Sequence, residues 1–429
     1  MIYSRFLPFR YLKHAVDVLR GKYDNPDDPG DISHFEALSS ALAATVGMGN
    51  VTGVAVAITM GGPGALFWMW MSAIVGMATK FFTCTLAILY RGRDSAGHTQ
   101  GGPMYVIEEG LGKKWKPLAI FFCVAGLIGP LPMVNANQLS RTFKDVVLFP
   151  LGVEESFGLN LFLGVFIATI VALVIFGGIK RIAKVATRIV PAMVGIYVVS
   201  VLYILLKNYD SIIPCFSLIL EDAFTGNAVL GGAVGGVIVV GARRAAFSNE
   251  AGIGTAPMAH GAAKTNEPVR EGLVAMLGPV IDTIVVCTMT ALALLVTDVW
   301  QVTGIEGITL TVDAFNTAFP SQLGGYLLLL CVLFFSFSSL FTLSYYGSKS
   351  FSYLAGAHRA HYFNYFYVLT IVIACVTSLQ AVIYLVDGMY ALMAFPTMIS
   401  ALLLAPKVKA AAQSYFAKLN EPKHQQAVK

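Results

Sequence analysis

A chain of 429 residues that is 56% hydrophobic and only 12% charged, with a mean hydropathy of +0.71, carries about half the charge of an ordinary soluble domain. That composition excludes a soluble globular protein and indicates an all-α polytopic membrane protein. The net charge of +5 is modest, and the basic residues follow the loops instead of forming a patch, so no nucleic-acid partner is expected.

Residues 1–36 begin MIYSRFLPFRYLKHAVDVLRG, basic and amphipathic, without the unbroken apolar run of a cleavable signal. They read as a cytoplasmic arm or interfacial helix. About 20 apolar residues cross a bilayer as a helix, and ten stretches qualify: 37–60, 64–90, 115–140, 158–177, 185–207, 226–254, 268–297, 323–348, 363–386 and 388–407. GGPG at 61–64 and DG at 387–388 carry turn residues suited to hairpins between neighbouring spans. With the N-terminus inside, cytoplasmic segments hold 25 of the 29 Lys and Arg, against Arg141, Lys144 and Lys207 outside and Lys80 within a span. That bias places both termini in the cytoplasm, with a tail at 408–429 and the bilayer of a bacterial inner membrane as the solvent.

Two spans are irregular. The first contains ATVGMGNVTG (44–53), where Gly47, Gly49 and Gly53 crowd beside Asn50, although each glycine costs a helix about 1 kcal/mol relative to alanine. The sixth runs on through ARRAAFSNEAGIGTAP and is too long and polar for one simple span. Ten helices split as 37–207 and 208–407 put these two at matching positions of a five-plus-five inverted repeat, the best sequence pointer to a transporter's central site. An unwound stretch frees backbone groups where there is no water, which is tolerable only around a cavity. There the N–H groups of a half-helix attract a carboxylate, and the carbonyls of the other half hold Na⁺ or an ammonium group. One break thus recognises both ends of a zwitterion. The competing reading is close packing through the GxxxG pairs Gly49/Gly53, Gly231/Gly235 and Gly232/Gly236.

The stretches ALAATVGMGNVTGVAVAITMGGPGALFWMW, GGPMYVIEEGLG and FSNEAGIGTAPMAHGAAKTNEPVREGLVAMLGPVIDT resemble the alanine/glycine:cation symporter family, also called sodium:alanine symporters. The likeness covers most of the chain from about residue 31. It implies the fold of the leucine and neurotransmitter sodium symporters, and sodium-coupled uptake of a small neutral amino acid by alternating access. By the same likeness, TVGMGN corresponds to AVGLGN of those symporters. The carbonyls of Ala43 and Val46, with Ser338 and Ser339 of the eighth span, would then serve one sodium site, and Thr45 and Asn50 another. Gly47, Met48, Gly49, Asn135, Phe247 and Asn249 become the expected substrate contacts. Met48 stands where the family usually has threonine, and Asn135 where it has glutamine, so the side-chain preference stays open. The family also usually has a helix before the first one here.

Lys80, Arg244, Glu250 and Asp282 are charges in apolar surroundings, each costing from about 2.5 kcal/mol upward. Pairing of Arg244 with Glu250 or Lys80 with Asp282 is one reading; a charge that biases the cation site or attracts a carboxylate is the other. No resident cofactor is expected. A proton-coupled permease of the same fold is the nearest rival, disfavoured by the neutral oxygens at Thr45, Asn50, Ser338 and Ser339. An intramembrane enzyme finds no HExxH, GxSxG or histidine cluster, and His260 reads as a polar helix-end residue. A channel fits broken helices at mid-depth less well than a single occluded site. The six cysteines lack metal or disulfide spacing.

Overall fold

The computed structural model describes residue 1 and residues 3–225, 234–302 and 307–420, and the chain is almost entirely helical. The first span is two helices, His34–Thr45 and Met48–Gly61, bent by 42°. Ser33 starts the leading half with a capping box: its Oγ accepts from the Glu36 N–H at 3.2 Å, and its own N–H donates to Glu36 Oε2 at 2.7 Å. The trailing half turns at Gly62–Gly64 into the second helix, Ala65–Leu89. This turn is held from above by a helix at Tyr209–Thr225 that lies in an expected loop. Asp222 Oδ2 accepts the Gly64 N–H at 2.8 Å, and the Trp68 indole donates to the Ala223 carbonyl at 3.1 Å.

A side chain at Gly64 would meet the Ala223 backbone nitrogen at 2.3 Å, whereas one at Gly53 meets nothing within 4 Å. Gly64→Ala is therefore expected to displace Tyr209–Thr225 and lower the melting temperature of the detergent-solubilised protein by several degrees. Gly53→Ala should leave it unchanged or slightly raised; equal effects would refute the close approach. Of the pair Gly49/Gly53, Gly53 therefore stands in open space, whereas a Cβ on Gly49 would meet Ser248 Cα at 3.4 Å, so only Gly49 fits the packing reading. Gly235 and Gly236 meet no described atom within 4 Å, and Gly231 and Gly232 lie outside the described residues.

Among the described residues, seven single helices are long and apolar enough to cross a membrane: Ala65–Leu89, Lys113–Leu151, Phe157–Ile175, Gly178–Lys207, Pro268–Val296, Leu323–Ala355 and Leu379–Leu419; the bent first pair makes an eighth. The third changes course at Gly129–Pro132, between helices Lys116–Ile128 and Met133–Phe143, because Pro130 and Pro132 withhold backbone donors. The other two expected spans are shorter than eighteen residues as helices: Val234–Asn249, part of a span that starts outside the described residues, and Ala360–Val376.

Several expectations are corrected. The hairpin between the last two helices falls at Thr377 and Ser378, not at Asp387–Gly388, which lie inside the continuous helix Leu379–Asn420. Gly388 has open space around it and costs that helix little beyond entropy. The same helix swallows the start of the expected tail at 408–429, and residues 421–429 lie outside the described residues. Arg243 and Arg244 leave the loop count, because they sit on helix Val234–Asn249 and pair with Asp387 at 2.6 and 3.4 Å. Arg244 therefore does not pair with Glu250. Lys80 is buried but makes no ion pair with Asp282 within 4 Å.

Candidate functional site

The two irregular spans break where the glycines and polar residues stand. In the first, Val46 and Gly47 interrupt the helix, and a Cβ on Gly47 would press on Ser339 Oγ at 2.8 Å. In the sixth, helix Val234–Asn249 stops and a short helix Thr255–His260 follows. Glu250, Gly252 and Gly254 between them adopt positive φ of 52°, 90° and 110°. A side chain at Gly254 would also strike Thr397 Oγ1 at 2.5 Å, so this crossing admits glycine alone.

Between the breaks lies a narrow cavity of about 30 Å³ lined by Ala44, Thr45, Met48, Gly49, Val134, Asn135, Phe247, Glu250, Leu343 and Tyr390. Of the expected substrate contacts it gathers Met48, Gly49, Asn135 and Phe247. Gly47 stands just behind, 3.9 Å from Asn135 Oδ1 as measured from its ideal Cβ. Asn249 faces elsewhere: its amide donates to Thr283 at 3.0 Å and its oxygen accepts the Ala251 N–H at 3.0 Å, bracing the turn. Glu250 is the acidic group of the lining; Tyr390 donates to its Oε1 at 3.1 Å and Thr255 to its Oε2.

The expected sodium ligands separate into groups. Ser339 Oγ lies 3.0 Å from the Ala43 carbonyl, 3.3 Å from that of Ala44 and 3.0 Å from that of Phe335. These are neutral, hard oxygens at an unwound helix end, the donor type that suits Na⁺. Ser338 turns instead toward Met193 Sδ at 3.5 Å and its own helix at Phe335. Val46, extended at ψ 98°, ends the leading half, and the Thr45 hydroxyl bonds back to Ala41 at 3.2 Å.

Asn50 takes a different part. Its Oδ1 accepts the Gly47 N–H at 2.7 Å and so caps the trailing half-helix. Its amide nitrogen faces Asp282 Oδ1 at 2.7 Å, the Asp282 carbonyl at 3.0 Å and Ser248 Oγ at 3.1 Å. Ser248 and Thr283 donate to the other Asp282 oxygen at 2.8 and 2.7 Å. A buried carboxylate surrounded by neutral donors thus locks the first break to the sixth and seventh helices. A stretch of π-helix, Val280–Cys287, aims it there; such insertions concentrate at functional positions. Ser248 and Thr283 carried no signal in the sequence beyond being polar residues near an intramembrane aspartate.

One end of the molecule is tied separately. Glu271, fully buried near the start of the seventh helix, accepts from His34 Nδ1 with one oxygen and His260 Nδ1 with the other. His34 opens the leading half of the first helix, and His260 ends the short half of the sixth. Arg91 clamps the same region through the carbonyls of Pro29, Gly261, Ala263 and Thr265.

Two interrupted apolar helices around one buried polar cavity, in a molecule made of membrane-length helices, define a membrane transporter of the broken-helix type. The crystal structure of MhsT in complex with L-phenylalanine shares this fold, with a TM-score of 0.64 at 15% identity over 88% of this chain and 90% of that one. The sodium:alanine symporter family matches residues 1–429, and the chain belongs to that family. It is 40% identical over 405 residues to the sodium/alanine symporter AgcS of Methanococcus maripaludis, covering 93% of this chain and 88% of the relative. It is 36% identical over 414 residues to the probable sodium/glutamine symporter GlnT of Bacillus subtilis, covering 96% and 84%. The protein is accordingly a transporter and not an enzyme.

Proposed function

We propose that the chain carries a small neutral amino acid into the cell together with Na⁺. The halves 37–207 and 208–407 would alternate access to one central site in the inner membrane, with both termini cytoplasmic. The observation that carries this reading is the pair of interrupted helices meeting at one cavity, with the Ala43 carbonyl and Ser339 hydroxyl 3.0 Å apart beside it. The Ala43, Ala44 and Ser339 oxygens would hold the ion. Backbone N–H groups at the start of Met48–Gly61 would take the substrate carboxylate, and Glu250 and Asn135 would face its polar end. Met48, Phe247 and Leu343 wall a cavity of only about 30 Å³, which would have to widen to admit a substrate and favours a small side chain. Asp282, two bonds removed through Asn50, gives the site a negative potential that favours cation entry. One Na⁺ moving through 100 mV supplies about 2.3 kcal/mol, and a tenfold sodium gradient about 1.4 more, together several-hundred-fold accumulation.

Proton coupling is the second reading, and Glu250 in the cavity wall favours it, since neutral oxygens alone would leave no group to titrate. Uptake of labelled alanine, glycine and glutamine, as both enantiomers, into proteoliposomes tests both readings. Replacing external Na⁺ by choline at constant pH should reduce uptake at least tenfold. Undiminished uptake that instead follows an imposed pH gradient would establish the proton reading.

A further inference from the structure

We propose that the cleft between the N-terminal arm and the far end of the last helix binds the phosphate headgroup of an anionic phospholipid. The arm folds as Leu7–Arg10 and Leu12–Leu19 and lies against helices Ala65–Leu89 and Leu379–Asn420. The cleft it leaves has a volume of about 170 Å³, room for several waters or one small headgroup. Arg5, Arg10 and Lys409 line it, and no carboxylate does. Among the described residues none of the three cations has an ion-pair partner within 4 Å; Arg10 and Lys409 lie only over the rings of Tyr11 and Tyr3. Three unneutralised cations around one hollow favour a dense anion such as a phosphodiester.

The depth of the cleft selects a lipid over a soluble anion. Lys409 lies thirty residues beyond Leu379, about 45 Å along the helix, the thickness of a hydrocarbon layer with both its headgroup zones, which puts it at the headgroup surface opposite the Thr377–Ser378 hairpin. Phe82, whose ring is 6.2 Å from that of Tyr3, stands seven residues before the end of its helix, about 10 Å deeper. Beside the cations the arm exposes Tyr3, Phe6 and Phe9, each about half accessible. Aromatic side chains beside basic ones are the composition of a segment lying at the acyl–headgroup boundary. A free phosphate would use the cations and ignore the rings; a phospholipid uses both.

A lipid held there adds a further tie between the arm and the last helix. Tyr11 already stacks on Phe416 with ring centroids 3.6 Å apart, and His14 bonds Tyr415 at 2.7 Å. The arm leads directly into His34–Thr45, so the lipid would restrain the leading half of the first broken helix.

The test is native mass spectrometry of the delipidated full-length protein titrated with phosphatidylglycerol, phosphatidylcholine or inorganic phosphate. It needs no transport, so its failure is distinct from failure of the symport reading. The wild-type protein is expected to retain phosphatidylglycerol in preference to phosphatidylcholine. Arg5→Gln/Arg10→Gln/Lys409→Gln should weaken that retention about a hundredfold. Lys113→Gln/Lys114→Gln/Lys184→Gln, which removes equal charge away from the cleft, should leave it unchanged. Arg10→Gln alone, expected to weaken retention severalfold, serves if the triple variant does not fold. Equal retention of the two lipids, equal loss in both triple variants, or displacement of the lipid by millimolar inorganic phosphate would overturn the proposal.

Discussion

Asn50→Leu is expected to abolish sodium-dependent amino-acid binding and also to destabilise the protein by about 2–5 kcal/mol. Leucine matches asparagine in size but removes the cap on the Gly47 N–H, worth about 0.5–2 kcal/mol. It also withdraws a donor from Asp282, and a hydrogen bond to a buried charged group is worth about 1.5–3 kcal/mol. Thermal unfolding in detergent and equilibrium binding of labelled alanine over a range of sodium concentrations measure the two effects. Adding Asp282→Asn to Asn50→Leu should recover part of the stability, because the carboxylate no longer lies buried with a missing donor. It should recover no binding, because the break has still lost its lock. A double variant that regained binding would show the Asn50–Asp282 contact to be structural only.

Glu271→Ala is expected to cost a similar 3–5 kcal/mol, the magnitude for removing one partner from a buried charged cluster. Its loss leaves both imidazoles without their acceptor in a region where His260 Nε2 already has no partner among the described residues. The proposed transport cycle requires the leading half of the first helix and the short half of the sixth to separate at this end. The variant is therefore expected to expose it: a cysteine placed at Ala37, fully buried one turn along the same helix, should react with a membrane-impermeant maleimide at least tenfold faster with Glu271→Ala than without it. His34→Ala and Glu271→Ala combined should be far less destabilising than the sum of the two. Strict additivity would refute the cluster.

The sequence carried the membrane class, most spans and both breaks, because each of these is written in local composition: long apolar runs, glycines beside an asparagine, and prolines at 130 and 132. It misplaced the last hairpin because Asp387–Gly388 is a turn pair by local chemistry, while the structure uses Asp387 as the counter-ion of Arg243 and Arg244. Helix boundaries that depend on such a distant partner cannot be read from a window of neighbours. The site divides in the same way. Met48, Gly49, Asn135 and Phe247 meet at the cavity as their motifs suggested. Tyr390 and Leu343, on helices far along the chain, carry no motif and join it only through packing. In sequence Asn50 looks like a cation ligand and Asn249 like a substrate contact, because an uncharged amide suits either. In the fold their hydrogen bonds are directed largely to backbone and hydroxyl groups, and to Asp282. His34, Glu271 and His260 stand 237 residues apart at the widest, so that cluster was invisible as a cluster.

Phe247 and Tyr390 line the central cavity and also a second hollow of about 530 Å³ bounded by Arg243, Tyr384 and Asp387, their ring centroids 6.0 Å apart. On that flank the chamber is closed by a partition one side chain thick, hinged on the Tyr390–Glu250 hydrogen bond. The opposite flank is closed by whole helix segments bound through His34, Glu271 and Arg91. Rotating one side chain, even a buried one, disturbs far fewer packed atoms than displacing a helix segment, which is a microsecond-to-millisecond event. In the proposed alternating-access cycle the thin door is therefore expected to open more readily than the heavy one, which would set the turnover rate.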